Sequence, residues 1–480
     1  MFYRGGVYIT IHDLSIDGFS ARLNDMKRKV PTKRRKISKK AIQKKSLPKS
    51  PFRRHKRIHF VGIGGSGMSS LAQLLLAQGK KISGSDLKMS DVADALLVAG
   101  VDVRIGQDEA TIPREAEAII YSAAVPELDP VFFQMLQGRG VPLYEYHEAV
   151  GHYAADKYTV AVAGTHGKTT TTAMLASILR GANARASVLV GGVMKDTGSG
   201  VFVGDGTTFV VEADEYQYGF LHLSPSILVI TNIDHDHVNC FSDLAAVQET
   251  FAQLVARVPA GGVIITNPND PHIAPVLLGA TVPVIDYTSL SLEGFSLMLY
   301  GEHNRMNAKA ALVAASVMGV PSAVAVQALA SFSGTGRRFE KKGQTKGGAL
   351  VYDDYAHNPQ KVFAVIAGAC EAFPDKQITI VFQPHLFSRT KKFLEDFARA
   401  LSGAHQIVIT DIYPAREALD PTISSKHVVQ KVKKLNKNVF YAPKFDDAVA
   451  HLANTDSAQD VIVTVGAGDI YKVGLMLLAR

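Results

Sequence analysis

The stretch Val160–Thr172, "VAVAGTHGKTTTT", decides the fold in the middle of the chain. Its apolar first half is typical of a buried strand, and the hydroxyl-rich second half is typical of a helix start. Gly164 and Gly167 shape a tight loop whose backbone amides can approach phosphates. Lys168 can reach β- and γ-phosphates, and Thr169 can offer its hydroxyl to Mg²⁺. The stretch therefore predicts a site for a nucleoside triphosphate.

The spacing of this loop departs from the common phosphate-binding motif. G-x-x-x-x-G-K-[ST] would place a glycine at position 162, where this chain has Val162. The first glycine is Gly164, which points away from motor proteins and small GTPases. The loop alone leaves open whether the energy drives motion, signalling, phosphorylation or bond formation.

Two clusters of polar side chains follow the next apolar strands along the chain. They are Glu212, Asp214 and Glu215 in "VVEADEYQYGF", and Asp234, His235, Asp236 and His237 in "TNIDHDHVN". Ligands gather at the carboxyl ends of strands in open sheets, so both clusters are placed near the lysine loop. Carboxylates there suit Mg²⁺, and imidazole suits a second divalent ion or an acid/base role. Each cluster taken singly could equally be a capped loop.

Upstream, "RIHFVGIGGSGMSSLAQLLLAQG" predicts a strand, a glycine turn and a helix. Gly62, Gly64 and Gly67 have the G-x-G-x-x-G spacing, and Asp86 ends the next predicted strand. This pattern indicates a diphosphate at a helix N-terminus. An NAD dehydrogenase, a sugar-nucleotide enzyme and a glycine turn without ligand all remain open at this point.

Downstream, charged and aromatic side chains again cluster where strands are predicted to end. They are Arg337 and Arg338 in "GRRFE", Asp353, Asp354, Tyr355 and His357 in "YDDYAHNP", and His385 and Arg389 in "FQPHLFSRT". Arginine and histidine there suit binding of carboxylate or phosphate. Surface salt bridges for the arginines and simple hydrogen bonding for the histidines are the alternatives.

The repeated alternation of strands and helices predicts an α/β fold with three consecutive domains. We place them at residues 57–157, 158–330 and 331–480, after a tail over residues 1–56. Two cysteines among 480 residues exclude a disulfide framework and favour a reducing cytosol. No apolar run approaches the ~20 residues of a membrane span.

The tail differs from the rest in charge. Residues 1–57 hold 18 Lys and Arg against three Asp, whereas the remainder holds 34 basic and 41 acidic side chains. Few apolar residues interrupt the basic run, so we predict that the tail is disordered. A nucleic-acid arm is one interpretation and a solvated extension is the favoured one, because no aromatic residues interleave with the charges.

Taken together, the motifs resemble the Mur ligases, which join amino acids to the peptidoglycan precursor. "HFVGIGGSGMS", "GTHGKTTTT", "VEADE", "GTGRRFE", "DDYAHNP" and "FQPH…RT" occur in family order across residues 57–480. His166 and the absence of lysine between Val238 and Arg257 match the branch that adds L-alanine. The resemblance implies a Rossmann-like UDP-binding domain, a central P-loop ATPase domain and a C-terminal Rossmann-like domain that binds the acceptor.

The implied activity is ATP-dependent ligation of L-alanine to UDP-N-acetylmuramate through an acyl phosphate, releasing ADP and phosphate in the bacterial cytoplasm. The expected cofactors are ATP and Mg²⁺, with Mn²⁺ as a substitute. We expect a monomer or homodimer that contacts neither membrane nor nucleic acid.

The resemblance also implies roles for individual residues. For ATP they are Gly164, Thr165, His166, Gly167, Lys168, Thr169, Thr170, Asn304, Arg338 and Asp354; for metal they are Thr169, Glu212 and His237. For the UDP-sugar they are Gly64, Gly65, Ser66, Gly67, Asp86 and Ser122, and for the amino acid Tyr355, His357, His385 and Arg389. Lys168, Glu212, His237, Arg338 and His357 are expected to act in catalysis. Leu386 departs from the family, some of whose members have arginine there.

Three alternatives remain. The nearest is the recycling ligase that adds a preformed tripeptide to the same sugar nucleotide, although its first loop usually differs from "GGSG". An NAD dehydrogenase would leave the lysine loop without a role. A nucleic-acid-binding NTPase would explain the tail but not the acidic body.

Overall fold

The computed structural model describes residues 8–9, 18, 50–235, 240–415, 417–453 and 457–480. The chain divides into two compact units, Met1–Ser296 with Met306–Phe332 and Leu297–Arg305 with Ser333–Arg480. Among the described residues, none of the helices combines the length and apolar character that a membrane span needs.

The strands belong to three sheets. They are β1 Tyr8–Ile9, β2 Arg57–Val61, β3 Lys81–Asp86, β4 Asp102–Ile105, β5 Ala118–Tyr121, β6 Leu143–Glu145, β7 Tyr158–Ala163, β8 Ser187–Met194, β9 Ser199–Phe202, β10 Thr208–Glu212, β11 Ile227–Ile230, β12 Val263–Thr266, β13 Val284–Asp286, β14 Glu340–Gln344, β15 Leu350–Asp354, β16 Gln377–Phe382, β17 Gln406–Ile409, β18 Val439–Tyr441 and β19 Asp460–Val465.

Helices cover the faces of these sheets. They are α1 Ser66–Ala77, α2 Asp91–Val98, α3 Val125–Leu128, α4 Pro130–Gly138, α5 Tyr146–Ala154, α6 Lys168–Gly181, α7 Leu244–Ala256, α8 Glu302–Met318, α9 Ser322–Ala330, α10 Pro359–Ala372, α11 Phe387–Lys392, α12 Leu394–Leu401, α13 Ser425–Leu435, α14 Phe445–Ala453 and α15 Tyr471–Leu478. Short 3₁₀ helices span Pro51–Arg53, Glu109–Thr111, Tyr216–His222 and Ala274–Gly279.

The first sheet is five-stranded and parallel, in the order β4-β3-β2-β5-β6. Its central strand β2 buries Ile58 and Phe60 almost completely. His59 is also buried there, with its ring nitrogens 3.0 Å from Ser83 Oγ and 3.3 Å from Ser85 Oγ. The carboxyl ends of β2, β3 and β5 therefore lie side by side, which positions the first glycine loop.

The second sheet has eight strands in the order β1-β13-β12-β11-β7-β10-β8-β9. All neighbours are parallel except the β8–β9 pair. The continuous burial along β7 and β11 is typical of a parallel sheet that is covered on both faces. Because β7 runs between β11 and β10, the lysine loop has the ends of both neighbours beside it.

The third sheet has the order β14-β15-β19-β16-β17-β18, with β14 antiparallel to β15 and the other neighbours parallel. Its core contains Ile380, Phe382 and Phe397. The prediction of three α/β sheets in succession is confirmed. One difference is that the first and second sheets share a single apolar core, in which the rings of Tyr153 and Phe209 meet at 4.9 Å.

Part of the region assigned to the tail is folded. Phe52 is 1% exposed and belongs to the shared core, and Pro51–Arg53 forms a helical turn. Tyr8–Ile9 pairs in parallel with β13. The packed body thus begins at about Ser50 rather than at Arg57. Residues 1–7, 10–17 and 19–49 lie outside the described residues, and their disorder stays a prediction.

Candidate active site

The first glycine loop joins β2 to α1. Gly62 has φ +83°, and the Gly64 amide donates to Asp86 Oδ2 at 2.8 Å. A Cβ on Gly64 would lie 2.9 Å from that oxygen, so the close approach requires glycine. Ser122, after β5, packs against Gly62, where an added Cβ would lie 3.1 Å from Ser122 Cβ. Asp86 therefore fixes the loop backbone.

The helix that follows begins at Ser66, with Gly65 as its extended N-cap. Its first-turn amides have no intrahelical acceptor and lie where a diphosphate binds in such folds. Gly67 is covered by Tyr146, whose Oη would be 2.5 Å from an added Cβ. The structure thus brings together all six residues predicted for the UDP-sugar.

The lysine loop joins β7 to α6. Gly164 and Gly167 have φ +132° and +81°, a backbone that other residues adopt with strain. A Cβ on Gly164 would lie 2.1 Å from Thr231 Oγ1, and one on Gly167 would lie 2.3 Å from Asn307 Oδ1. Only glycine fits either position, and the loop is held from two sides.

Lys168 is buried at the start of α6. Its Nζ donates to the Gly164 carbonyl at 2.8 Å and to Glu215 Oε2 at 2.6 Å, and lies 3.5 Å from Asp214 Oδ1. Burial acts to lower the pKa of Lys168, but the charges of Glu215 and Asp214 raise it above its ordinary value. The ammonium is therefore held between a backbone carbonyl and two carboxyl groups.

Glu215 is the most buried carboxylate of this cluster. Burial raises its pKa to about 7, with Lys168 acting in the opposite direction and Asp214 adding to the rise. Burial likewise raises the pKa of Glu212. Such shifted carboxyls are typical of functional sites.

Thr169 and Glu212 provide the oxygen ligands that a magnesium ion prefers. Thr169 Oγ1 donates to Glu212 Oε1 at 2.9 Å, and the Gly191 amide donates to Glu212 Oε2 at 2.7 Å. Mg²⁺ commonly takes one or two protein oxygens together with substrate phosphates and water. The pair fits that pattern. Among the described residues no group of three His, Cys, Asp or Glu forms a metal cage, and the predicted ligand His237 lies outside them.

The other flank of the loop is fixed by residues that follow β11. Asn232 Oδ1 accepts from the His166 amide at 2.9 Å, and Thr165 Oγ1 accepts from the Asp234 amide at 2.9 Å. His166 Nε2 lies 3.6 Å from Asp234 Oδ2. Burial acts to raise the pKa of Asp234, but hydrogen bonds from His166 and the His235 amide lower it. Thr170, also predicted for ATP, is buried in the first turn of α6.

In the C-terminal unit, the "GRRFE" turn is braced through Arg337. Its guanidinium donates to Asp353 Oδ2 at 2.9 Å, to the Gly468 carbonyl at 3.0 Å and to the Gly466 carbonyl at 2.7 Å. Arg337 and Phe339 have φ +56° and +44°, so the backbone is left-handed on both sides of Arg338. Arg338 itself lies over the Tyr355 ring at 5.5 Å.

Asp354, predicted to reach the nucleotide, has both oxygens on backbone amides. Oδ2 accepts from Phe339 and Oδ1 from Ala356, each at 2.7 Å. Burial raises its pKa, while the charge of Arg338 acts against this. These bonds support the turn that presents Arg338. Asn304 Nδ2 donates to the Tyr300 carbonyl at 2.7 Å, and its contact with adenine stays a prediction.

The four residues predicted for the amino acid form one cluster. The Tyr355 and His357 rings are 5.3 Å apart, and His357 and His385 are 6.1 Å apart. Arg389 is 5% exposed, with Nη1 3.4 Å from His385 Nδ1. Burial, followed by the charge of Arg389, lowers the pKa of His385 to about 4. The cluster thus pairs a buried cation with an imidazole that is neutral at pH 7.

Leu386 has φ +71°, an uncommon backbone for leucine. Its amide donates to the Tyr413 carbonyl at 2.9 Å, and the Tyr413 amide donates to the Pro384 carbonyl at 2.8 Å. The Tyr413 ring stacks on His385 at 5.6 Å. These contacts hold the turn that leads into α11 and Arg389.

Several residues of these sites were not singled out by the sequence patterns. They are Asn232 and Asn307 beside the lysine loop, Tyr146 beside the glycine loop, and Tyr413 beside His385. Glu215 was noted only as one of three carboxylates. Each of the four meets its partner from a distant part of the chain, and such long-range contacts leave no short-range pattern in the sequence.

Comparison with known proteins agrees with this geometry. Residues 57–158 match the Mur ligase family catalytic domain, residues 162–293 the Mur ligase middle domain, and residues 337–468 the glutamate ligase domain of Mur ligases. A UDP-N-acetylmuramate–L-alanine ligase of Rubrobacter xylanophilus is 38% identical over 448 residues, covering 88% of this chain and 100% of the relative.

Solved structures extend the likeness. The UDP-N-acetylmuramate-alanine ligase of Thermotoga maritima superposes with a TM-score of 0.72 at 26% identity, covering 88% of this chain and 98% of that one. A murein peptide ligase of Psychrobacter arcticus gives a TM-score of 0.66 at 26% identity, with the same coverage. The chain belongs to the Mur ligase family and is an ATP-dependent ligase.

Proposed function

We propose that this ligase joins L-alanine to UDP-N-acetylmuramate with conversion of ATP to ADP and phosphate, a step in making the peptidoglycan precursor. The observation that carries the proposal is the pairing of two phosphate-binding loops in one compact unit, at Gly64–Gly67 and at Gly164–Lys168. A diphosphate-linked sugar and ATP are the ligands that such loops accept. The names of the relatives support L-alanine as the acceptor.

The first half of the reaction needs charge neutralisation. A carboxylate oxygen of the sugar nucleotide attacks the γ-phosphorus of ATP, the bond to the β,γ-bridging oxygen breaks, and ADP leaves with its electron pair. We assign Lys168 to the charge that develops on the phosphates. Thr169 and Glu212 would hold Mg²⁺, which supplies further positive charge to the phosphate oxygens when bound.

The second half needs a positioned amine. The unprotonated amine nitrogen of alanine attacks the acyl phosphate carbon, and the tetrahedral intermediate loses a proton from nitrogen to water. Its collapse expels phosphate and leaves the amide. We assign the carboxylate of alanine to Arg389, since guanidinium groups bind carboxylates through paired hydrogen bonds. Neutral His385 and its neighbours His357 and Tyr355 would orient the amine.

A direct assay separates this proposal from its nearest alternative, the ligase that adds a preformed tripeptide. Phosphate release is measured with ATP, Mg²⁺ and UDP-N-acetylmuramate, in the presence of L-alanine or of the tripeptide. We expect release with L-alanine that depends on all components. Release with the tripeptide alone would indicate the recycling ligase. Release without sugar nucleotide, or none with either acceptor, contradicts both.

A further inference from the structure

Tyr146 lies against the first glycine loop at Gly67. A Cβ added to Gly67 would be 2.5 Å from Tyr146 Oη and 2.6 Å from Cζ, so the phenol covers the first turn of α1. The ring packs against the shared core of the first and second sheets, and its hydroxyl end lies against the glycine loop.

The hydroxyl is a donor without a protein acceptor. Among the residues that the structure describes, none forms a hydrogen bond with Tyr146 Oη; the ring contacts His147 at 4.9 Å. Burial raises the pKa of Tyr146, and the charges of Glu212, Asp214 and Glu145 add to this rise. The phenol therefore stays protonated at any physiological pH. Tyr146 is half-buried, so its hydroxyl remains available to an acceptor that a ligand brings.

The position of Tyr146 is fixed from both sides. Glu145 caps α5 by accepting from the His147 amide at 2.6 Å. His147 in turn packs on Gly219, where an added Cβ would lie 2.3 Å from its Cδ2. Gly219 belongs to the segment that follows Glu215 on the lysine-loop side. The start of α5 therefore lies between the first glycine loop and the segment that follows Glu215.

We propose that Tyr146 is a specificity-determining residue whose hydroxyl donates a hydrogen bond to the lactoyl carboxylate of the sugar nucleotide. This inference rests on the proposed function. That carboxylate has to reach the γ-phosphate that we assign to Lys168, and the charges of Glu212 and Asp214 act at the position of the Tyr146 phenol between the two loops. A neutral hydrogen-bond donor at this position stabilises the lactoyl carboxylate. It therefore favours binding of sugar nucleotides that carry the lactoyl group over those that lack it.

Binding of three ligands to the full-length enzyme tests the proposal. Isothermal titration calorimetry compares UDP, UDP-N-acetylglucosamine and UDP-N-acetylmuramate for the wild type and Tyr146→Phe. We expect Tyr146→Phe to weaken UDP-N-acetylmuramate about tenfold, the factor for losing one hydrogen bond to a charged group. The affinities for UDP and UDP-N-acetylglucosamine should stay within about twofold of wild type, because neither ligand carries the carboxylate.

Tyr144→Phe is the matched control. Tyr144 lies two residues away, and its ring packs against Phe52 at 5.5 Å and His152 at 5.1 Å. This control should bind all three ligands like the wild type.

Two results would overturn the inference alone: unchanged affinity of Tyr146→Phe for UDP-N-acetylmuramate, or equal weakening of all three ligands, which indicates packing on Gly67. A wild type that does not distinguish the two sugar nucleotides contradicts the proposed function as well.

Discussion

At the residue scale, Lys168 is the cation that we assign to the phosphates of ATP. It lies at the N-terminus of α6. Its ammonium is stabilised by hydrogen bonds to the Gly164 carbonyl and the Glu215 carboxyl group, which replace contacts with water. The Gly64–Gly67 loop that we assign to the sugar nucleotide belongs to another sheet. The two binding events are therefore separable by mutation.

We predict that Lys168→Ala lowers turnover by about a hundred- to a thousandfold or more, because the phosphate charge loses its nearest cation. The affinity for UDP-N-acetylmuramate should remain within about twofold of wild type. Phosphate release measures the first quantity and calorimetry the second. Equal loss of both would contradict the assignment of the two ligands to different loops.

His59 links stability to pH. Burial, followed by the charges of Arg104 and Arg139, lowers its pKa to about 3 in the folded protein. The unfolded chain, with an ordinary value near 6.5, takes up the proton as pH falls, and the folded chain does not. The stabilising contribution of neutral His59 to the free energy of unfolding is thus complete above about pH 6.5 and is lost progressively as the pH falls toward 3.

For His59→Gln we predict a flatter dependence of stability on pH. Between pH 7 and pH 5 the free energy of unfolding of the wild type should fall by about 2 kcal/mol more than that of the variant. Denaturant titrations at both pH values measure the difference. Parallel losses in the two proteins would show that folding does not lower the pKa of His59.

The residues foreseen from sequence are those with a short-range signature. Gly64, Gly67, Gly164 and Lys168 stand in spaced motifs between a strand and a helix, and the structure confirms that context. Asn307 meets the lysine loop from a point far along the chain. Its contact depends on how α8 packs, which no local pattern encodes.

At the scale of elements, the "GRRFE" turn contains two adjacent arginines, one that stabilises the turn and one that we assign to catalysis. Arg337 makes the bonds that hold the left-handed backbone, including one to the fully buried Asp353. Arg338 makes none of those bonds and rests over Tyr355. Two neighbouring arginines therefore have different roles: one supports the turn and the other is presented by it.

We predict that Arg337→Leu destabilises the C-terminal unit by about 3–5 kcal/mol, since it leaves the Asp353 charge buried without its cation. Arg338→Leu is the comparison variant: Asp354 loses a nearby charge but keeps both amide donors, so the loss of stability should be smaller than for Arg337→Leu, while turnover falls. Denaturant unfolding and phosphate release measure the two effects. The same destabilisation in both variants would mean that the turn does not depend on Arg337.

At the scale of the whole molecule, the shared core of the first and second sheets begins at Phe52. Sequence patterns predicted the sheets and their order along the chain, but placed the start of the body at Arg57. The reason is that "SPFRRHKR" reads as a continuation of the basic run. A single buried ring in such a run has no periodicity to reveal it.

Truncation tests this boundary. We predict that removing residues 1–49 leaves turnover close to that of the full chain, although it also removes the short strand β1. Removing residues 1–55 should lower stability by about 3–5 kcal/mol, because it empties the space filled by Phe52. Thermal unfolding and phosphate release compare the two truncations. Loss of turnover on removing 1–49 would assign a working role to the tail.

The ion pair between Lys168 and Glu215 has a consequence for discrimination among anions. The side chain of Glu215 already pairs with Lys168 in the lysine loop. Any anion that binds to Lys168 therefore competes with this carboxyl group of the protein itself. We expect a single inorganic phosphate to displace Glu215 poorly, because it makes fewer contacts with the loop than a triphosphate does. A nucleoside triphosphate brings a chain of charges that also reaches the amides at the start of α6. We therefore expect the loop to favour a nucleoside polyphosphate over the inorganic phosphate that the reaction releases.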